Sequence, residues 1–308
     1  MKFVSSSDLT ELLPMGDAID ALQDAFASGC LGDAPQRTHV DVPDGTLLLM
    51  PASGDGGVGV KLVTLNPSNP GKGLPFIHGV YVLFSAGSLE PEVIVDGGAM
   101  TGLRTAAVSG LATRHLARAD ATRLVIFGAG TQGHSHLDAM FAVRPVTHVT
   151  VVSRSAGPAE ELASRARDLG LKAEVGDPSS VSDADIVCAC TTSPVPVFDG
   201  SLLPGGCHVN AVGAYTTDTR ELDDATMQRA KIVVEDRDAA LAEAGDVVIP
   251  LESGAIGAES VVADLSEVVT GATVRTSDAD ITVFKSVGVA FEDLAVARAL
   301  ADRLEPER

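Results

Sequence analysis

Apolar residues recur at helical spacing near 16–29, with Ala18, Leu22, Ala25 and Phe26 on one face, which predicts an amphipathic helix. Strand-like runs follow at 38–42 (THVDV), 46–51 (TLLLMP), 58–65 (VGVKLVTL) and 79–86 (GVYVLFSA). Turn clusters separate them, including PDG at 43–45 and NPSNPGKGLP at 66–75. Several strands in succession predict an α+β unit with an antiparallel or mixed sheet. A helix is predicted over 98–117, and from residue 122 the pattern becomes strand, helix, strand, helix (TRLVIFG, TQGHSHLDAMFAV, HVTVVSR, GPAEELASRARDLG). Further apolar strands follow at 185–190, 207–212 and 231–235, and a last helix covers 288–304. Alternation of β and α at this spacing predicts a Rossmann-type, doubly wound parallel sheet. The expected α/β organisation is therefore an α+β domain over 1–119, joined by the C-terminal segment 288–308, and a Rossmann domain over 120–287.

The stretch LVIFGAGTQG at 124–133 places G-x-G-x-x-G between an apolar strand and a helix, the context in which this spacing binds a dinucleotide. Gly128 makes the turn, Gly130 admits a pyrophosphate to the backbone, and Gly133 lets the helix pack on the strand. Ala129, Thr131 and Gln132 complete the predicted cradle, whose helix N-terminus offers free N–H groups to phosphate. The alternative is a glycine-rich turn with no ligand. An NAD-specific site places an acid at the end of the second strand, whereas this chain has Ser153, Arg154 and Ser155 there. An arginine flanked by hydroxyls suits a 2′-phosphate, so NADP(H) is expected ahead of NAD(H).

A net charge of −20 argues against nucleic acid or an anionic membrane as partner. The 27 Asp, 15 Glu, six Lys and 16 Arg suit a high-salt cytoplasm, although an Arg- and Ala-rich genome produces a similar bias. The N-terminus lacks a basic region followed by an apolar core, and no run of eighteen apolar residues occurs. Cys30, Cys188, Cys190 and Cys207 form no C-x-x-C pair and have no His at zinc spacing. A reduced, cytoplasmic protein without a structural metal is the expectation.

Four further stretches carry a resemblance: GVKLVTLNPSNPGKGLP at 59–75, GLRTAAVSGLATRHLA at 102–117, VGAYTTDTRELDD at 212–224 and TVFKSVGVAFEDLAVARAL at 282–300. Together with the glycine run they resemble the ornithine cyclodeaminase/μ-crystallin family over nearly the whole chain. The resemblance implies a homodimer with a substrate-binding and dimerisation domain and a Rossmann domain, acting on small α-imino or amino acids. Arg37, Lys61 and Arg104 are three cations on separate elements, and Lys61 interrupts an apolar strand where an unpaired ammonium is costly to bury. They point to an anion, which the resemblance identifies as the substrate's α-carboxylate; the alternative is that each pairs with one of the chain's 42 acids at the surface. Lys61 is also a candidate proton donor, because desolvation lowers a lysine's pKa. His78 is a second candidate acid with a structural alternative, and Thr105 serves the cofactor or its helix turn; Lys285 and Ser286 are assigned by resemblance to the cofactor, with a turn before the last helix as the alternative.

The cyclodeaminases of the family carry an Asp two residues after the glycine matching Gly213, and this chain has Tyr215 there. The acid is instead Asp218, as in the dehydrogenase and ketimine reductase branches, either as a catalytic residue or as the cap of its turn. The reading is an NADPH-dependent reductase of a small, cyclic α-imino acid such as Δ1-pyrroline-2-carboxylate. The alternatives are an ornithine cyclodeaminase (an ammonia lyase), an alanine dehydrogenase, and a non-enzymatic NADP-binding, crystallin-like protein.

Overall fold

The structure, a computed structural model, describes residues 1–28, 35–54 and 56–304. Cys30 lies outside the described residues. The chain divides into two compact units, Met1–Arg104 with Gly288–Arg308, and Thr105–Val287.

The first unit is built on a six-stranded sheet. Its strands are β1 (Lys2–Val4), β2 (Thr38–Val42), β3 (Gly45–Gly54), β4 (Gly57–Leu65), β5 (Ile77–Phe84) and β6 (Pro91–Asp96). They are ordered β1-β6-β5-β4-β3-β2, with β1 parallel to β6 and the other pairs antiparallel. Helices α1 (Ser6–Leu12), α2 (Met15–Ser28) and the C-terminal helix (Ala290–Ala301) belong to this unit. The sequence pattern found β2 to β5 and α2, but not β1, α1 or β6. Three residues are too few to show a period, and β6 opens on a proline. Ser5 and Asp8 start α1 with a reciprocal capping box.

Strand β4 alternates as the pleat requires, with Gly59, Lys61, Val63 and Leu65 facing inward. The register sets Met50, Lys61 and Tyr81 side by side across β3, β4 and β5. On that face the C-terminal helix packs against the sheet and against α2, where Phe26 meets Phe291 edge-on at 4.8 Å between ring centroids. The opposite face bears exposed Val40, Val42, Val58 and Val80.

The second unit begins within helix α3 (Gly97–Leu116). Its eight strands are β7 (Arg123–Phe127), β8 (His148–Val152), β9 (Lys172–Val175), β10 (Ile186–Ala189), β11 (His208–Ala211), β12 (Ala230–Val234), β13 (Val261–Asp264) and β14 (Ile281–Lys285). All pair in parallel, in the order β13-β12-β14-β11-β10-β7-β8-β9. Helices α4 (Thr131–Val143), α5 (Ala156–Asp168), α6 (Asp224–Arg229), α7 (Arg237–Glu243), α8 (Gly245–Glu252) and α9 (Leu265–Val269) connect them. Strands β10 and β11 are buried at every residue, as a sheet covered on both faces demands. Each fully buried Val, Leu or Phe side chain contributes roughly 1.5–3 kcal/mol. The direction of winding reverses between β7 and β10, so the loops after these strands diverge and open a crevice.

Candidate functional site

The glycine run occupies that crevice. Gly128 follows β7 with φ +95°, a conformation side chains resist, and the 2.9 Å bond from its N–H to Val152 O ties the turn to β8. A Cβ on Gly133 would lie 2.1 Å from Gly128 O, so α4 reaches the turn only because residue 133 is glycine. A Cβ on Gly130 meets nothing within 4 Å and points into open space. The cleft encloses about 590 Å³, lined by Gly128, Ala129 and Gly130, by Ser153 and Arg154 after β8, and by Thr191 to Ser193 after β10. A backbone cradle that two glycines keep tight and a third keeps bare fits a dinucleotide's pyrophosphate. Arg154 is exposed and has no ion pair among the described residues. The acid in the lining, Asp177, has Oδ1 occupied by the N–H of Ser179 at 2.8 Å.

A buried set of acids holds the cleft's far wall. Glu221 accepts from Thr191 N and Oγ1, both at 2.6 Å, and from Gly213 N at 2.7 Å, locking the loops after β10 and β11 together. Burial raises its pKa, and Asp246 adds to the rise. Asp246 in turn accepts from the backbone of Glu221 and Leu222 and pairs with Lys285 Nζ at 2.8 Å. Lys285 also donates to Ala214 O at 2.6 Å, and Ser286 Oγ donates to Glu235 at 2.8 Å. Both side chains that the resemblance assigned to the cofactor are therefore buried and bonded to protein groups. Thr105 is buried in α3, and Gln132 O bonds His136 Nδ1 at 2.8 Å. Asp218 is exposed and accepts from Thr216 Oγ1 at 2.7 Å.

In the first unit the three cations meet. Lys61 Nζ lies 2.8 and 2.9 Å from the two oxygens of Asp293. Arg104 spans Glu292 at 3.1 Å and Asp293 at 3.3 Å. Arg37 donates to Gly288 O at 3.0 Å and adds its field at Lys61. Gly288, with φ +82°, is required here: a Cβ on it would strike the Arg104 guanidinium at 2.3 Å. Burial lowers the Lys61 pKa to about 8, reinforced by Arg104 and opposed by Asp293. The anion that the sequence called for beside Lys61 is thus, in part, the chain's own Asp293. His78 stands on the exposed face of β5, opposite to Lys61, so the structure does not bring it to the cluster. The acids Glu292 and Asp293 escaped the sequence reading, although two charges inside the apolar helix AFEDLAVARALA were a signal of buried pairing.

Five buried or half-buried charged groups, three positive and two negative, gather in one cluster of the first unit. The second unit offers a glycine-cradled crevice at a sheet's switch point. Together these features define an α/β protein of the Rossmann, dinucleotide-binding class with a second α+β unit that carries a cluster of paired charges. The chain belongs to the ornithine cyclodeaminase/mu-crystallin family, whose model matches residues 1–308. It is 37% identical over 311 residues to a Δ1-pyrroline-2-carboxylate reductase of Paracoccus denitrificans, covering 97% of this chain and 96% of the relative. Among solved structures it is similar to the Δ1-pyrroline-2-carboxylate reductase of Thermococcus litoralis in complex with NADH and L-proline. That match has a TM-score of 0.94 and 33% identity and covers 98% of this chain and 97% of that one. An archaeal alanine dehydrogenase dimer with bound NAD gives a TM-score of 0.91 at 32% identity, covering 98% and 95% of the two chains. Among the described residues, no helix is long and apolar enough to cross a membrane, and no group of His, Cys, Asp or Glu could hold a metal.

Proposed function

We propose that the protein reduces the C=N bond of a small, cyclic α-imino acid to the amino acid, with a nicotinamide dinucleotide as hydride donor. The observation that carries this reading is the cluster of Arg37, Lys61 and Arg104 around Glu292 and Asp293, three converging cations whose donors suit a substrate carboxylate. Arg104 and Arg37 would fix the carboxylate and so the orientation of the adjoining imine carbon. A dinucleotide held by Gly128, Ala129 and Gly130 would supply the hydride for this reduction. The imine nitrogen takes a proton from Lys61, whose pKa of about 8 keeps it charged yet able to release one near neutrality, or from water. The acids Glu221, Asp246 and Glu235 keep the strand-end loops in place.

For the cofactor we infer NADP(H) ahead of NAD(H), supported by Arg154 without an ion pair and by the two adjoining serines. The exposed valines on the outer face of the six-stranded sheet support a homodimer through that face. The deciding experiment assays oxidation of NADPH and NADH against a panel of imines that includes cyclic monocarboxylic, acyclic and dicarboxylic members. Turnover of the cyclic monocarboxylic imines is expected. Release of ammonia and proline from ornithine without added cofactor would instead establish the lyase.

A further inference from the structure

The substrate-binding cluster has one polar neighbour that the family resemblance did not name. Tyr81 on β5 is the direct cross-strand partner of Lys61 on β4, so the two side chains leave the sheet on the same face, about 5 Å apart at Cβ. Its ring is fully buried. The hydroxyl lies over Gly59, two residues before Lys61 on that face: a Cβ on Gly59 would come within 1.8 Å of the hydroxyl oxygen. Gly59 is therefore the vacancy that the hydroxyl fills.

That hydroxyl has no hydrogen-bond partner among the described residues, which is rare for a buried phenol. Asp293 is near enough to act on it electrostatically, but its carboxylate is already engaged by Lys61 and Arg104. The position calls for an additional acceptor, and the cations Lys61 and Arg104 of the neighbouring cluster favour an anionic one. We propose that the Tyr81 hydroxyl is a fourth donor to the substrate's carboxylate, a neutral one beside the three cations. Burial raises the phenol's pKa, so it holds its proton across the working range and donates throughout. The inference rests on the imino-acid reading for its ligand, while the residue itself is new to that reading.

The test uses the full chain with NADPH and the variant Tyr81→Phe, which keeps the ring and removes only the oxygen. The probe is pyrrole-2-carboxylate, a planar ring carboxylate with no C=N bond to reduce, followed by titration calorimetry. Loss of one hydrogen bond to a carboxylate should weaken its binding about tenfold and raise the KM of the imine by a similar factor, with kcat within about twofold. The ligand-free variant should melt no lower than wild type, because the change deletes an unsatisfied buried group. Gly59→Ala, which evicts the hydroxyl, should give the same loss of binding. Unchanged affinity and KM in Tyr81→Phe would overturn the proposal, as would a loss accompanied by lower ligand-free melting, the mark of a purely structural role. Tyrosine-dependent binding of pyrrole-2-carboxylate without turnover of any imine would uphold Tyr81 and overturn the reductase reading instead.

Discussion

Lys61 should impose an alkaline limb on the reaction, and Asp293 should set its position. The ammonium lies 2.8 Å from the Asp293 carboxylate inside the first unit, and burial brings its pKa down to about 8 against that opposing charge. Below pH 8 the free enzyme carries the charged form that attracts the substrate's carboxylate and can protonate its nitrogen. Above pH 8, kcat/KM should fall about tenfold per pH unit. Asp293→Asn removes the charge that favours the ammonium, and an opposite charge at this range moves a pKa by about 1–3. The limb should therefore move down by at least about one pH unit, toward neutrality. The substrate's own ionisation contributes equally to both profiles, so the difference between them reports the enzyme alone. Lys61→Met should abolish the enzyme's limb and lower kcat/KM at pH 7 at least about tenfold, since a hydrogen bond to a charged group is worth roughly 1.5–3 kcal/mol. The assay is initial-rate kinetics from pH 6 to 10 with saturating NADPH. Superimposable profiles for wild type and Asp293→Asn would refute the assignment of the limb to Lys61.

His136 and His208 are fully buried, and burial lowers their pKa values to about 4 and about 3, from 6.5 in the unfolded chain. Unfolding therefore takes up protons below pH 6.5, and each histidine should cost roughly 2 kcal/mol of stability at pH 5 relative to pH 7.5. Denaturant melts at the two values measure this, and no difference between them would count against the buried neutral rings. Gly133→Ala forces a Cβ to 2.1 Å from Gly128 O and should destabilise the second unit by about 1–3 kcal/mol as well as weaken NADPH binding. Gly130→Ala, with open space around its Cβ, should weaken NADPH binding at an unchanged melting temperature, and a shared loss of stability in both would contradict the cradle geometry. Arg154→Ala should raise the KM for NADPH at least about tenfold and that for NADH by less than about twofold. Equal effects on the two cofactors would remove the phosphate contact.

Most of the fold was legible because its periods are local. The strand 38–42 is found at Thr38–Val42, and the helix expected over 98–117 occupies Gly97–Leu116. Strand β14 was not seen, because ITVFK is a short apolar run without alternation and its burial depends on neighbours far along the chain. The glycine cradle was likewise local, since one strand, one turn and one helix hold all of it. The opposite wall was not: Glu221 reads as a loop acid in TTDTREL, and only the pairing of β10 with β11 brings Thr191 and Gly213 to its carboxylate.

The cation cluster marks the boundary of what local reading can do. Its positive members stood out singly, Lys61 because it breaks an apolar strand. Its negative members did not, because Glu292 and Asp293 sit in the first turn of a helix, where the macrodipole welcomes acids whether or not they are buried. The cluster's character lies in its assembly: five charged groups drawn from four separate segments of the chain meet at one place. Lys61 and Asp293 are the buried heart of it, and removing either partner alone would leave the other as an uncompensated buried charge. The cluster is therefore legible only once the strand, the helix and the loop that supply it are folded together.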